Sequence, residues 1–316
     1  MFRYLQGWLQ SVLNAWRDYP LRQGKVIAER YKLIRFIGMG SYGQAYAGVD
    51  LRSGSAVLIK LNKPSKGKAG LALLERESRI MADLSHAQIP AWIDYVGSGR
   101  RMALVMELLD GANLEERVME QGMLFDERAA ALVLRELLRP LAYLHATGYV
   151  HRDVRIPNVI TNGHHVYLID YGLACGIGEQ LPADLAEALG EGEAGHENCS
   201  EAAASHERGL KHGGAGSSVS WGAVKRRMRQ PEPGSDLYGI GHLALFLLYS
   251  GYTPTIEGAA DKGWEQELQL SAPMAEWIRR SLGEGEPFVD AAQSASALGS
   301  AIESMDLSIH ARAEPS

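Results

Sequence analysis

Asp153 stands between two arginines in Gly148-Tyr-Val-His-Arg-Asp-Val-Arg-Ile-Pro-Asn158, a loop that also ends on an amide. Such a carboxylate can take a proton from a hydroxyl, or it can be an acid pinned in a turn by its basic neighbours. Asp170 closes the apolar run Tyr167-Leu-Ile and precedes Gly172, so it can ligate a metal or begin a turn. Lys60 ends the apolar run Val57-Leu-Ile, where an ammonium either meets an anion or protects a sheet edge. Glu77 can supply that anion, although Glu75 in the same run shows how ordinary a solvated acid is there. Gly38-Met-Gly40-Ser-Tyr-Gly43 is a GxGxxG, which cradles a phosphate or simply turns a hairpin.

These groups need elements to position them. From Tyr31 the runs YKLIRFIG, GQAYAGVD and AVLIKL, punctuated by Gly40–Gly43 and by Arg52-Ser-Gly54, predict three antiparallel strands. A dinucleotide-binding fold needs a helix directly after the glycines. Here QAYAGVD continues as a strand, so the glycines form a hairpin whose backbone N–H groups can lie over a triphosphate. Lys68 to Leu84 has helical spacing, and WIDYVG and MALVME read as two further strands. After Gly111 the pattern is mostly helical. Asp126 is an N-cap for a long amphipathic helix to His145, with Pro140 predicted to kink it or mark its loosened end. Helices resume at Leu237, at Met274 to Leu282 and at Ala291 to Ile302. Between them, about 176–220 is rich in Gly, Ala, Ser and Glu and reads as disordered or conditionally ordered.

The chain of 316 residues is 46% hydrophobic and 22% charged, enough for a substantial core. A formal charge of -6 gives no global argument for nucleic acid, which would call for a basic face. Cys175 and Cys199 have no metal-ligand or framework spacing, which fits a reducing compartment. The N-terminus lacks a signal peptide's apolar core and cleavage site. The apolar run Leu237–Tyr249 is too short to span a bilayer and reads as a helix buried in protein. The expected location is therefore cytoplasmic. Phe2, Leu5, Trp8, Leu9, Val12 and Trp16 lie at helical spacing. That amphipathic helix packs on its own protein, self-associates, or touches a membrane surface peripherally.

Taken in order, the glycine hairpin, strand lysine, helix glutamate, His151-Arg-Asp153 with Asn158, strand-ending Asp170-Tyr-Gly172 and later Ser235-Asp236 resemble the protein kinase superfamily, especially its bacterial eukaryotic-like Ser/Thr members. The resemblance implies an α+β bilobal fold, a small β-rich N-lobe and a larger helical C-lobe with ATP between them. It divides the chain into the N-terminal helix at 1–24, the N-lobe at 25–108, the C-lobe with its insert at 109–305 and a flexible tail at 306–316. It implies ATP- and Mg²⁺-dependent phosphoryl transfer to Ser or Thr of a protein substrate, with autophosphorylation. By the resemblance, Gly38, Gly40 and Gly43 cover the phosphates, while Lys60, paired to Glu77, holds the α and β phosphates. Ala45, Leu58, Met106, Glu107, Leu109 and Ile160 surround the nucleotide, with Met106, Glu107 and Leu109 from the hinge. Asn158 and Asp170 hold Mg²⁺, Asp153 is the base, and Arg155 touches the γ-phosphate where relatives usually carry lysine. His151 and Tyr171 match a regulatory stack, Asp236 holds the loop's backbone, and Arg152 matches an arginine that reads a phosphate on the activation segment.

The chain departs from that pattern in several places. Leu58 replaces a small alanine above adenine, and Ala45 replaces a valine, so bulk lost at one site is gained at the other. About sixty residues separate Asp170 from Gln230-Pro-Glu232, far beyond ordinary loop lengths. The threonine usual before that motif and a late arginine are missing. The basic run Lys225, Arg226, Arg227 and Arg229 is a solvated face or a surface for acidic substrates. Ser200, Ser205, Ser217, Ser218 and Ser220 are candidate autophosphorylation sites. Two other readings stay open, a pseudokinase acting as a nucleotide-binding scaffold and a kinase for a small molecule.

Overall fold

The computed structural model describes residues 14, 16–163, 165–189, 191, 221–253 and 263–313. Two compact units divide the chain. The first is Met1–Asp110 with Leu181–Glu193, and the second is Gly111–Gln180 with Ala194–Ser316.

The first unit is built on side-chain alternation. β1 (Val26–Ile27), β2 (Tyr31–Met39), β3 (Gly43–Asp50), β4 (Ala56–Asn62), β5 (Trp92–Ser98) and β6 (Arg101–Glu107) pair antiparallel in the order β1-β2-β3-β4-β6-β5. Tyr31, Leu33, Tyr46, Val57, Ile59, Leu61, Ala103 and Val105 form a core on one face, with Leu21 and Ile27 against it. Alternation then sends the intervening residues to the other face. There Ala45 lies opposite Lys60 and Lys60 opposite Leu104, while Leu58 lies between Ala47 and Met106. Strand parity alone therefore puts Ala45, Leu58, Lys60 and Met106 on one side. α1 (Gly67–Asp83) packs on β4, β5 and β6 and buries Leu73, Leu74, Ile80 and Met81 together with Glu77.

The second unit has little sheet. β7 (Ala112–Asn113) pairs with β9 (Val159–Thr161) and β9 with β10 (Val166–Leu168), while β8 (Tyr149–Val150) pairs with β11 (Cys175–Gly176). Gly111 opens it at φ 130, where an added Cβ would lie 2.6 Å from the Thr161 carbonyl oxygen, so the chain needs glycine here. α2 (Glu127–Ala146) starts on Asp126, whose side chain accepts from the Ala129 N–H at 2.7 Å. It runs through Pro140 without ending. The ring removes one N–H, and burial of Leu134, Leu137, Leu138, Leu141 and Leu144 offsets the loss.

α3 (Ala183–Ala188) belongs to the first unit, and α4 (Trp221–Met228), α5 (Pro233–Tyr249), α6 (Trp264–Glu267), α7 (Ala272–Ser281) and α8 (Ala291–Ala313) to the second. α2, α5, α7 and α8 pack into a helical bundle. The run Leu237–Tyr249 is the body of α5 and is buried in protein, as its apolar composition requires. No helix among the described residues is long and apolar enough to cross a membrane. The molecule is thus α+β and bilobal, with a β-rich unit and a mainly helical one.

Two expectations change. The stretch 176–220 is not uniformly without structure, because its first part contributes to β11 and forms α3. Leu181, Leu185 and Leu189 recur every fourth residue, and α3 packs on α1 with Leu185 and Leu189 buried. Residues 192–220, with the candidate serines, lie outside the described residues, as does nearly all of the amphipathic stretch 2–16. At the other end, α8 continues to Ala313 where a tail was expected from 306. Asp306 is held there by Arg128, with Nε–Oδ1 at 2.7 Å and Nη2–Oδ2 at 3.3 Å.

Candidate functional site

The glycine hairpin joins β2 to β3, closed by the Gly40 N–H donating to the Gly43 carbonyl at 2.9 Å. Gly43 is needed for packing, since a Cβ would lie 3.1 Å from the Leu61 carbonyl oxygen and 3.3 Å from Lys60 Cγ. Gly38 and Gly40 are different. Neither has a left-handed φ, and a Cβ would meet nothing within 4 Å at Gly38 and only the Gly43 oxygen, at 3.9 Å, at Gly40. The fold does not explain these two glycines, whereas close approach of a ligand's phosphates to their backbone would. Tyr42, at the tip, donates its hydroxyl to the Ala188 carbonyl of α3 at 2.7 Å, and Lys66 Nζ lies 5.4 Å from its ring centroid.

Lys60 Nζ meets Glu77 Oε1 at 2.7 Å. The Glu77 side chain is only 3% exposed, so the pair is a partly desolvated charge contact and not a surface ion pair. At the end of β6 Met106 is buried and Glu107 exposed, and just beyond it Leu109 is half-buried. The Glu107 N–H is taken by the Ala91 carbonyl at 2.8 Å. The Leu109 backbone N–H and C=O have no partner among the described residues.

In the second unit the Asp153 loop is hung from Asp236 in α5. The Asp236 carboxylate is buried and accepts from the N–H of His151 at 2.8 Å, the N–H of Arg152 at 2.7 Å and His145 Nε2 at 3.0 Å. His145 Nδ1 accepts from the Ala291 N–H at 3.2 Å, which puts the ring proton on Nε2, facing Asp236. Burial pushes the Asp236 carboxyl up, but the His145 hydrogen bond and the neighbouring imidazoles outweigh it and hold the group below the ordinary carboxylate value. His151 is set the same way. Its Nδ1 accepts from the Asp153 N–H at 3.3 Å, so Nε2 donates to the Ile169 carbonyl at 3.0 Å. Its ring stands edge-on to Tyr171, with centroids 4.9 Å apart. The Tyr171 hydroxyl is buried without a hydrogen-bond partner, and burial pushes its pKa well up.

Arg152 adopts φ 64, a left-handed conformation that a non-glycine residue holds only under constraint. Its backbone is fixed by Asp236. Its side chain donates through Nε to the Arg229 carbonyl at 2.6 Å and through Nη1 to that of Leu173 at 3.2 Å, binding both ends of the segment that follows Asp170. Asp153 is thereby presented next to a rigid neighbour. Its carboxylate meets Arg155 Nε at 3.1 Å through Oδ1 and the Asn158 amide at 2.8 Å through Oδ2. The same amide donates to the Asp153 carbonyl at 2.9 Å. Asp170 is exposed, left-handed at φ 65, and accepts weakly from the Gly172 N–H at 3.4 Å. Ile160 is half-buried on β9, opposite Tyr167.

Each unit therefore gathers its own set of the expected residues. The first holds Gly38, Gly40, Gly43, Ala45, Leu58, Lys60, Glu77, Met106, Glu107 and Leu109, and the second holds Asp153, Arg155, Asn158, Ile160 and Asp170. Sequence reasoning missed His145 and the α3 carbonyl that receives Tyr42. Nothing in a linear pattern announces a histidine whose partner is Asp236.

The profile of the family described as "Protein kinase domain" matches residues 31–190, just over half of the chain. The chain is 27% identical over 292 residues to the "Probable serine/threonine-protein kinase YbdM" of Bacillus subtilis, covering 91% of this chain and 95% of that protein. It is 26% identical over 267 residues to "Serine/threonine-protein kinase B" of Synechocystis, covering 80% of this chain but only 43% of that protein. Among solved structures, the kinase domain of PknI from Mycobacterium tuberculosis shares the fold, with a TM-score of 0.59 at 18% identity, covering 89% of this chain and 100% of that one. The matched span contains the glycine hairpin, the Lys60–Glu77 pair and the Asp153–Asn158 loop, and the chain accordingly belongs to the protein kinase family, as a Ser/Thr protein kinase of the bacterial, eukaryotic-like type.

Proposed function

We propose that Asp153 orients the acceptor hydroxyl of a protein substrate and takes its proton, that Asn158 and Asp170 ligate Mg²⁺, and that Lys60, fixed by Glu77, holds the α and β phosphates of ATP. The observation that carries this reading is the Asn158 amide. Both of its hydrogen bonds go to Asp153, one to the carboxylate at 2.8 Å and one to the carbonyl at 2.9 Å. That leaves its carbonyl oxygen, the kind of atom a hard cation takes, to face away from the carboxylate it steadies. Asp170 supplies an exposed carboxylate, so the donor set is all oxygen and suits Mg²⁺. When bound, that ion supplies neutralisation of charge on the phosphate oxygens.

The remaining groups follow from their chemistry. Gly38, Gly40 and Gly43 present backbone N–H groups to phosphates without side chains in the way. Ala45, Leu58, Met106 and Ile160 offer apolar surface for a purine, and the backbone of Glu107 and Leu109 offers polar atoms for its edge. Arg155, with a side chain 59% exposed, keeps guanidinium donors beyond its contact with Asp153 and can reach the γ-phosphate. Phosphoryl transfer needs positioning and charge neutralisation more than covalent help, and this inventory supplies both. The same reading assigns 25–108 to the nucleotide lobe and 109–305 to the substrate lobe. It places the protein in the cytoplasm, with residues 2–16 as a self-association or membrane-surface segment.

The test is transfer of labelled γ-phosphate from Mg-ATP to the protein itself and to a generic Ser/Thr acceptor. Wild type should label both, with label stable to acid, and Asp153→Asn and Lys60→Met should each reduce transfer by about a hundredfold or more. Labelling that survives both substitutions would overturn the assignment.

A further inference from the structure

α4 gathers positive charge in the same unit as Asp153, whereas the lysine-rich stretch 60–68 belongs to the other unit. The chain carries a formal charge of -6, yet WGAVKRRMR at 221–229 contains four cations and no carboxylate. Three contacts fix this helix. Val224 is buried, the Arg227 guanidinium lies 4.2 Å from the Tyr238 ring centroid, and the Arg229 carbonyl accepts from Arg152 Nε at 2.6 Å. The last contact joins the end of the helix to the residue beside Asp153.

The cations therefore divide by role. Arg227 is committed to Tyr238, and the backbone of Arg229 to Arg152. Lys225 and Arg226 are exposed, and their side chains have neither an ion pair nor a hydrogen bond among the described residues. Arg226 stands one turn before Arg229, its carbonyl accepting from the Arg229 N–H at 3.2 Å, so its backbone is only about 5 Å along the helix from the Arg152 contact. An exposed charge acts over roughly a Debye length, about 8 Å at physiological salt. An extended peptide advances about 3.3 Å per residue, so it is residues a few positions from an acceptor hydroxyl at Asp153 that would come within that range.

We infer that Lys225 and Arg226 form a docking surface for acidic residues flanking the acceptor hydroxyl, so that the preferred substrates are acidic Ser/Thr peptides. The inference rests on the reading of Asp153 as the base. A merely solvated face would be indifferent to the sign of charge on a peptide, whereas this one discriminates.

Binding separates the two ideas, because it requires no transfer. Two fluorescent serine peptides of equal length, one flanked by glutamates and the other by glutamines, are titrated by anisotropy against the full chain with Mg²⁺ and a non-hydrolysable ATP analogue. The glutamate peptide should bind about tenfold more tightly at about 50 mM salt, with the margin shrinking toward unity at about 500 mM. The pair K225E/R226E should erase or reverse the preference, and K225Q/R226Q should shrink it. Melting temperature and analogue affinity check that each variant is folded. Equal affinity for the two peptides in the wild type, or a preference unchanged in both folded variants, overturns the inference. Failure of Asp153→Asn to reduce transfer would instead overturn the base assignment, and the two results are read in separate assays.

Discussion

Replacing Asp236 by asparagine should unhook the Asp153 loop while changing a side chain by only one atom type. Asp236 Oδ2 accepts from the His151 N–H at 2.8 Å and from His145 Nε2 at 3.0 Å, and Oδ1 accepts from the Arg152 N–H at 2.7 Å. An asparagine can keep its carbonyl oxygen on the first pair, but its amide then points N–H against the Arg152 N–H. One charge-assisted bond is lost and a buried donor is orphaned, about 3–5 kcal/mol together. For a protein of 316 residues that lowers the melting temperature by about 4–8 °C. The bond that fails is the one that holds Arg152 at φ 64, a conformation costing a non-glycine residue about 1–2 kcal/mol. Arg152 should relax, carrying Asp153 with it, and a displacement near 1 Å lowers kcat by about a hundredfold. Nucleotide affinity, which the proposed function assigns in large part to the Lys60–Glu77 unit, should change little. Scanning fluorimetry, nucleotide titration and steady-state kinetics read the three quantities. A variant that melts within about 1 °C of wild type and keeps its kcat would refute this account of the loop.

The same carboxylate gives a pH dependence. Its folded pKa lies below the ordinary value, so its contribution to stability is present above the unfolded pKa, about 3.9, and is lost as pH falls through the folded value. Melting temperature should drop below about pH 4, and part of that slope should vanish in Asp236→Asn. Tyr171→Phe removes a buried hydroxyl that has no partner and keeps the edge contact with His151, so it should raise the melting temperature by about 1–5 °C, and a fall would count against that burial. Leu185→Asp puts a charge where α3 packs on α1, with global melting nearly unchanged. Limited proteolysis should then cut 183–189 faster than in wild type, and nucleotide affinity should shift because Tyr42 loses its acceptor on Ala188. Unchanged cleavage would argue that α3 is not held by Leu185.

What was legible in the sequence was local and periodic. Alternation along Ala56–Asn62 places Lys60 and Leu58 opposite the Val57, Ile59 and Leu61 core, and the helical spacing of 67–83 buries Glu77 beside Leu73, Leu74, Ile80 and Met81. The Asp126 cap and the buried run from Leu237 are equally local, which is why both match the structure. The glycine spacing and the order of the charged residues selected the family, since each is written in short stretches with fixed roles. The leucine stripe 181, 185 and 189 was equally local, but the small and acidic residues around it hid a single helical face.

Tertiary structure alone decided the rest. The family resemblance already gave Asp236 the loop's backbone, but its meeting with His145 across 91 positions of chain depends on how α2 and α5 pack. Arg152 finds the Arg229 carbonyl across 77 positions, which is what turns a basic run into a helix fixed beside Asp153. Periodicity states which face of an element is buried. It does not state which distant atom will satisfy a buried carboxylate or an arginine, because hydrogen-bond partners are selected by the packed geometry and not by spacing along the chain.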